Sequence, residues 1–204
     1  MTLTGANTFT GGVTAGAGIL ELNNAQALGT GPLNITGALV LDNAGAASFV
    51  NAQNNAVTLG GDVTFTGTRA LNLGQGAVAL TGNRVLNVAN STLALGGAVG
   101  GAFGLTKTGA GDLYLAGSNS YAGLTLVQQG HLWVENPSAL GGTAAGTVVS
   151  NGASLVLSGG NFLPTYAITD DAGSTTTLQA TTPISLAAWH YVAATYSGTT
   201  MTLW

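Results

Sequence analysis

Apolar residues recur two apart along most of the chain, in runs only three residues long. Leu20-Glu21-Leu22, Leu33-Asn34-Ile35, Leu39-Val40-Leu41, Val57-Thr58-Leu59, Val63-Thr64-Phe65, Leu71-Asn72-Leu73 and Val78-Ala79-Leu80 set the rhythm. Leu93-Ala94-Leu95, Leu113-Tyr114-Leu115, Leu132-Trp133-Val134 and Leu155-Val156-Leu157 continue it. In extended backbone, residues i and i+2 share a face, so each run buries its two ends and turns its middle outward. Gly, Asn or Asp stand between runs; Gly and Asn reach left-handed backbone angles cheaply, which a sharp bend at a strand end requires. No window sustains apolar spacing of three and four over ten residues. The pattern predicts strands and no helix.

Strands this short choose between two architectures. Antiparallel sandwiches favour strands of about five or six residues joined by hairpins. Three-residue strands with a bend after each suit a solenoid, in which every strand stacks on its equivalent one coil away. Three strands and their bends take about 20–25 residues, giving about seven or eight coils before residue 165. The expected fold is all-β: a right-handed parallel β-helix over 1–162, followed by a C-terminal β segment, 163–204, that includes a hairpin.

The chain also repeats on a longer scale. Laid so that Leu3 falls on Leu115, the stretch from Leu3 to Thr30 matches at ten of 28 positions without a gap. Asn7 falls on Asn119, Gly18 on Gly130, Leu20 on Leu132, Asn24 on Asn136, and Ala27-Leu28-Gly29 on Ala139-Leu140-Gly141. Internal similarity of this kind marks a repeat protein.

Composition agrees and narrows the function. Of 204 residues, 33 are Gly, 29 Thr and 16 Asn, and only 5% are charged. Closely stacked like charges repel, whereas Thr, Asn and Ser ladders bond to themselves from coil to coil, so a thin solenoid wants this surface. Arg69, Arg84 and Lys107 are the only Lys or Arg residues, and net charge is -4. Three scattered cations cannot neutralise a run of phosphates, which excludes nucleic acid as a partner, and no basic face exists for an anionic membrane. Without cysteine there is neither disulfide framework nor thiolate metal site. The most apolar stretch, Leu93 to Leu105, is interrupted by five glycines and is far short of a membrane span. The first residues lack the basic and apolar regions of an export signal and already lie inside a repeat, so the chain reads as a piece of a longer protein.

Catalysis on a β-helix needs clustered carboxylates with Arg or Lys, or several Asp around calcium. Here Glu21, Asp42, Asp62, Asp112 and Glu135 are dispersed, and only Asp170-Asp171 are adjacent, in a turn-like stretch. Asp62 and Asp112 each follow a glycine before a strand, as turn residues do. The two histidines, His131 and His190, have no G-x-S-x-G elbow to serve. Gly96-Gly97-Ala98-Val99-Gly100-Gly101 lacks the Lys-Ser/Thr of a phosphate loop. Thr-x-Thr triplets such as Thr64-Phe65-Thr66 recur too irregularly for an ice-binding array. No enzyme, cofactor or metal is expected. The candidate binding residues are Tyr114 and Trp133, each held between two inward apolar neighbours and so facing out.

Gly104-Leu105-Thr106-Lys107-Thr108-Gly109-Ala110-Gly111-Asp112-Leu113-Tyr114-Leu115 resembles the autotransporter-associated β-strand repeat, G-L-T-K-T-G-A-G-T-L-x-L-S-G-x-N-x-Y-x-G. The next residues, Ala116-Gly117-Ser118-Asn119-Ser120-Tyr121-Ala122-Gly123, continue the resemblance, which covers about residues 3–160. It implies a β-helical passenger region of a bacterial secreted or cell-surface protein, without catalytic residues and often adhesive. Transport across the outer membrane would use a translocator that this chain does not contain.

Near the end, Trp189-His190-Tyr191-Val192-Ala193-Ala194-Thr195-Tyr196-Ser197-Gly198 is similar to a hairpin of laminin-G/concanavalin-like jelly rolls, which implies glycan binding in a parent protein. Three roles remain open at this level: a structural stalk, a module binding glycan or a host surface, and a unit stacking head to tail through unpaired strand edges.

Overall fold

The computed structural model describes residues 1–158 throughout and, beyond them, the backbone of four strands, Thr165–Thr169, Thr175–Gln179, Ala194–Tyr196 and Met201–Leu203. Parallel strands wind into a β-solenoid of about seven turns, and the described residues contain no helix. Three sheets form its sides. Sheet A runs through Thr2–Leu3, Gly18–Leu22, Leu39–Asp42, Val63–Phe65, Arg84–Val88, Leu105–Thr108, Thr125–Val127 and Thr147–Val149. Sheet B holds Val13–Ala15, Leu33–Ile35, Val57–Leu59, Val78–Leu80 and Val99–Gly100. Sheet C holds Phe49–Val50, Leu71–Asn72, Thr92–Leu95, Asp112–Leu115, His131–Val134 and Ser154–Leu157. Through the middle of the rod the chain visits A, C and B in turn. Coil length varies: the turn from Leu113 to its partner Leu132 is short, and the turn from Leu39 to its partner Val63 is long.

The alternating runs do what their pattern predicts. Leu33 and Ile35, Val57 and Leu59, Leu93 and Leu95, and Leu113 and Leu115 are all buried, while the residue between each pair is more exposed. Strand register turns these inward positions into columns, such as Leu71, Leu93, Leu113, Leu132 and Leu155 on sheet C. Each buried Leu or Val contributes about 1.5–3 kcal/mol relative to exposure, and Leu113→Ala would cost about 2–5 kcal/mol by opening a cavity between two coils.

Buried asparagines stitch the corners. Asn55 Nδ2 donates to Gly29 O and Gly31 O, and Asn51 Nδ2 donates to Asn55 Oδ1 at 2.8 Å. These bonds satisfy carbonyls that bends leave without a ladder partner, where an unpaired buried group would cost about 1–3 kcal/mol. Several corner glycines are required by crowding. A Cβ on Gly61 or Gly97 would collide with the backbone of Gly37 or Gly76, one coil away.

Sheet A continues past the last fully described coil. Thr165–Thr169 pairs in parallel with Thr147–Val149, and Thr175–Gln179 turns back antiparallel to it. Ala194–Tyr196 and Met201–Leu203 form an antiparallel pair. The jelly-roll-like signature around Trp189 and His190 lies outside the described residues, as does Asp170-Asp171.

Candidate functional site

Tyr114 and Trp133 are brought together. They are cross-strand partners on sheet C, one coil apart, and alternation turns both side chains to the outer face. Their rings stack with centroids 5.2 Å apart and planes 2° from parallel. Parallel coils place equivalent side chains about 4.8 Å apart along the axis, so the stack is the spacing of the solenoid expressed in aromatic rings. Both residues are half-buried. Trp133 Nε1 is buried with no hydrogen-bond partner in the protein, so the indole is held by packing.

The outward column on this face reads Val50, Asn72, Ala94, Tyr114, Trp133 and Val156. Beyond Tyr114 the ladder drops to a methyl group at Ala94 and a short amide at Asn72. The step leaves a groove of about 310 Å³, with Tyr114 at one end, Phe49 and Val50 at the other, and Ser48, Thr92 and Glu135 along its margins. Burial raises the Glu135 carboxyl above the usual range. The Tyr114 phenol is raised by burial and then by the Asp112 and Glu135 carboxylates. Asn72 Oδ1 accepts from the Gly74 N–H at 2.8 Å, which fixes the amide in place.

The charged residues otherwise serve the rod. Asp112, read from sequence as a turn residue, begins a strand and bonds His131 Nδ1 at 2.9 Å across one coil. Asp62 Oδ1 accepts from the Val85 N–H at 2.9 Å and lies 3.9 Å from Arg84. Among the described residues no three His, Cys, Asp or Glu side chains converge as metal ligands.

Lys107 is the residue that sequence reasoning undervalued. It is 1% exposed, with Nζ donating to Thr108 O at 2.9 Å, Gly109 O at 2.8 Å and Gln129 O at 3.0 Å. All three ammonium protons are used on a corner of the coil. Burial lowers its pKa from 10.5 to about 8, against an opposing contribution from Asp112. The signal was the alternation itself: Leu105-Thr106-Lys107 puts the lysine on the same inward face as Leu105.

Comparison with known proteins supports the repeat reading. The passenger-associated-transport-repeat family matches residues 1–22 and 105–134. The Adhesin BmaC autotransporter of Brucella suis biovar 1 (strain 1330) is 38% identical over 78 residues. That match covers 37% of this chain and 2% of the relative. No solved structure matches.

Proposed function

We propose that this β-solenoid, which carries passenger-associated transport repeats over 1–22 and 105–134, is a non-catalytic stalk in the passenger of a bacterial surface or secreted protein. The observation that carries the reading is the parallel stack of about seven turns. Four of its buried polar side chains, Asn51, Asn55, Asn119 and Lys107, bond from one coil to the next. A rod built this way holds other modules at a fixed distance from the envelope. Repeat architectures lengthen by adding coils without redesigning the core.

A second reading, in which the chain itself is adhesive toward glycan or a host surface, draws on the outward Tyr114–Trp133 stack and on the adhesin relative. Surface display separates the two. The full chain is fused to an export signal and an outer-membrane translocator, with no other module attached. A stalk gives cells that carry the chain, detected by antibody, yet adhere no better than cells with the translocator alone. Adhesion above that level that disappears in Trp133→Ala overturns the stalk reading in favour of the adhesive one.

A further inference from the structure

We propose that the groove above Ala94 binds an uncharged pyranose ring, stacked on the open face of Tyr114. Trp133 covers one face of the tyrosine ring, and the opposite face looks along the rod over Ala94. Ala94 and Asn72 together leave two rungs of the outer ladder nearly empty before Val50. At about 4.8 Å per rung, a saccharide ring would lie where the next aromatic ring of the ladder would stand.

The lining selects the ligand class. A pyranose presents an apolar C–H face and a hydroxyl edge, and the groove offers an aromatic platform beside Asn72, Thr92 and Glu135. An aromatic side chain from a partner would fill the same rung but would bury those polar groups without hydrogen bonds, at a cost. A peptide strand cannot add beside Ala94, because Leu71–Asn72, Thr92–Leu95 and Asp112–Leu115 are each paired on both edges. The charged side chain lining the groove is the Glu135 carboxylate, which repels acidic sugars and accepts from hydroxyls. The volume, about 310 Å³, lies at the small end of ligand sites.

This inference gives the adhesive reading a site and a ligand class and rests on it; the stalk reading stands with the groove empty. Saturation-transfer NMR on the full chain tests it, with methyl β-D-glucopyranoside, methyl β-D-galactopyranoside, N-acetylglucosamine, N-acetylneuraminic acid and indole as probes. At least one of the three uncharged sugars should bind, while N-acetylneuraminic acid and indole should not. Tyr114→Ala removes the platform, and Ala94→Tyr extends the ladder into the vacant rung while preserving the fold. Each should weaken sugar binding at least tenfold, and Trp133→Phe, which keeps a ring behind Tyr114, should leave it nearly unchanged.

Four outcomes overturn the proposal: no uncharged sugar binding at up to about 10 mM, binding that survives Ala94→Tyr, preference for the acidic sugar, or binding of indole alone. Adhesion in the display experiment together with no sugar binding in solution retires the groove and keeps the adhesive reading.

Discussion

The two copies of the long repeat make the same hydrogen bonds on different sides of the rod. In the first, Asn7 donates its side-chain amide to Ala27 O and its backbone N–H to Gln26 O. Asn24 Oδ1 accepts from the Gln26 N–H, and Thr30 N–H reaches Phe9 O. In the second copy Asn119, Ala139, Ser138, Asn136, Gly142 and Tyr121 repeat every one of these bonds. Yet Val13–Ala15 and Gly18–Leu22 belong to sheets B and A, and their equivalents Thr125–Val127 and His131–Val134 to sheets A and C. The offset that carries Leu3 onto Leu115 is no whole number of coils. Measured in turns such as that from Leu86 to its partner Lys107, it comes to about five turns and one side. The repeat therefore specifies a local shape, two strands followed by a strandless side with an Asn-x-x-Ala-Leu-Gly turn. The side it occupies follows from the accumulated coil lengths. This accounts for the ends of two sheets: sheet C begins only after the first turn of this kind, and sheet B stops where the second copy begins.

What differs between the copies is how firmly each is held. Tyr121 is wholly buried and its hydroxyl meets Thr125 Oγ1 at 2.6 Å, whereas Phe9 is 37% exposed in the first coil. The glycine that lies over each ring exposes the difference most strongly. Gly29 and Gly141 sit at φ 61° and 72°, and a Cβ on either would crowd the aromatic residue and carbonyl of the coil below. The left-handed conformation alone costs an L-residue about 1–2 kcal/mol, and overpacking adds about 1–3 kcal/mol where the neighbour cannot move. Gly141→Ala should cost about 3–4 kcal/mol and Gly29→Ala about 1 kcal/mol less, because the Phe9 ring can swing away while the carbonyl crowding is common to both. Hydrogen exchange at the Gly142 and Thr30 amides reads each site locally; equal costs would show that the two rings are held alike.

The asparagines give the next largest contrast. Asn119 joins two neighbouring coils, accepting from the Val99 N–H at 2.7 Å while donating to Ala139 O, and is 6% exposed. The Asn7 side chain makes only the bond to Ala27 O, at 2.7 Å, and the residue is less buried. Asn119→Ala leaves two buried backbone groups unpaired and should cost about 2–3 kcal/mol; Asn7→Ala should cost about 1 kcal/mol. Chemical denaturation of the two variants measures the gap.

Just ahead of the interior copy, Lys107 carries a buried charge whose sign of pH dependence can be worked out. Its pKa falls from 10.5 to about 8 on folding because burial disfavours the ammonium. Between these two values the unfolded chain binds more protons, so stability rises with pH across that window. Wild type should gain on Lys107→Met by about 2 kcal/mol or less between about pH 7.5 and 10.5, read as the difference in melting temperature. A wild type that loses ground over this range would mean that the three carbonyls hold the charged form more tightly than burial opposes it.

Much of this was legible in the chain. Two apolar residues flanking one exposed residue sufficed to place the strands and to aim Tyr114 and Trp133 outward. Among the strands absent from those runs are three with inward positions that are not large and apolar: Ala15 in Val13–Ala15, Thr125 in Thr125–Val127, and Lys107 in Leu105–Thr108. The groove was hidden for another reason. It depends on Ala94 being the cross-coil partner of Tyr114, and coil lengths that vary by several residues keep that pairing out of any one stretch of sequence.

The smallest effect isolates a substitution that the two copies already display. Phe9 and Val13 occupy the positions of Tyr121 and Thr125, so the interior copy carries a buried hydroxyl pair where the first has apolar groups. The Tyr121 pKa is pushed up to about 12 by burial, against the lowering effect of the Thr125 bond, so the phenol stays neutral at ordinary pH. Tyr121→Phe alone strands the Thr125 hydroxyl in an apolar corner and should cost about 1–2 kcal/mol. Adding Thr125→Val removes the stranded group and should recover most of that loss, because replacing both partners by apolar groups of similar shape is nearly neutral. A double-mutant cycle gives the coupling directly. A double variant no more stable than Tyr121→Phe alone would mean that the interior copy, unlike the first, relies on the hydrogen bond itself rather than on the shape of the pair.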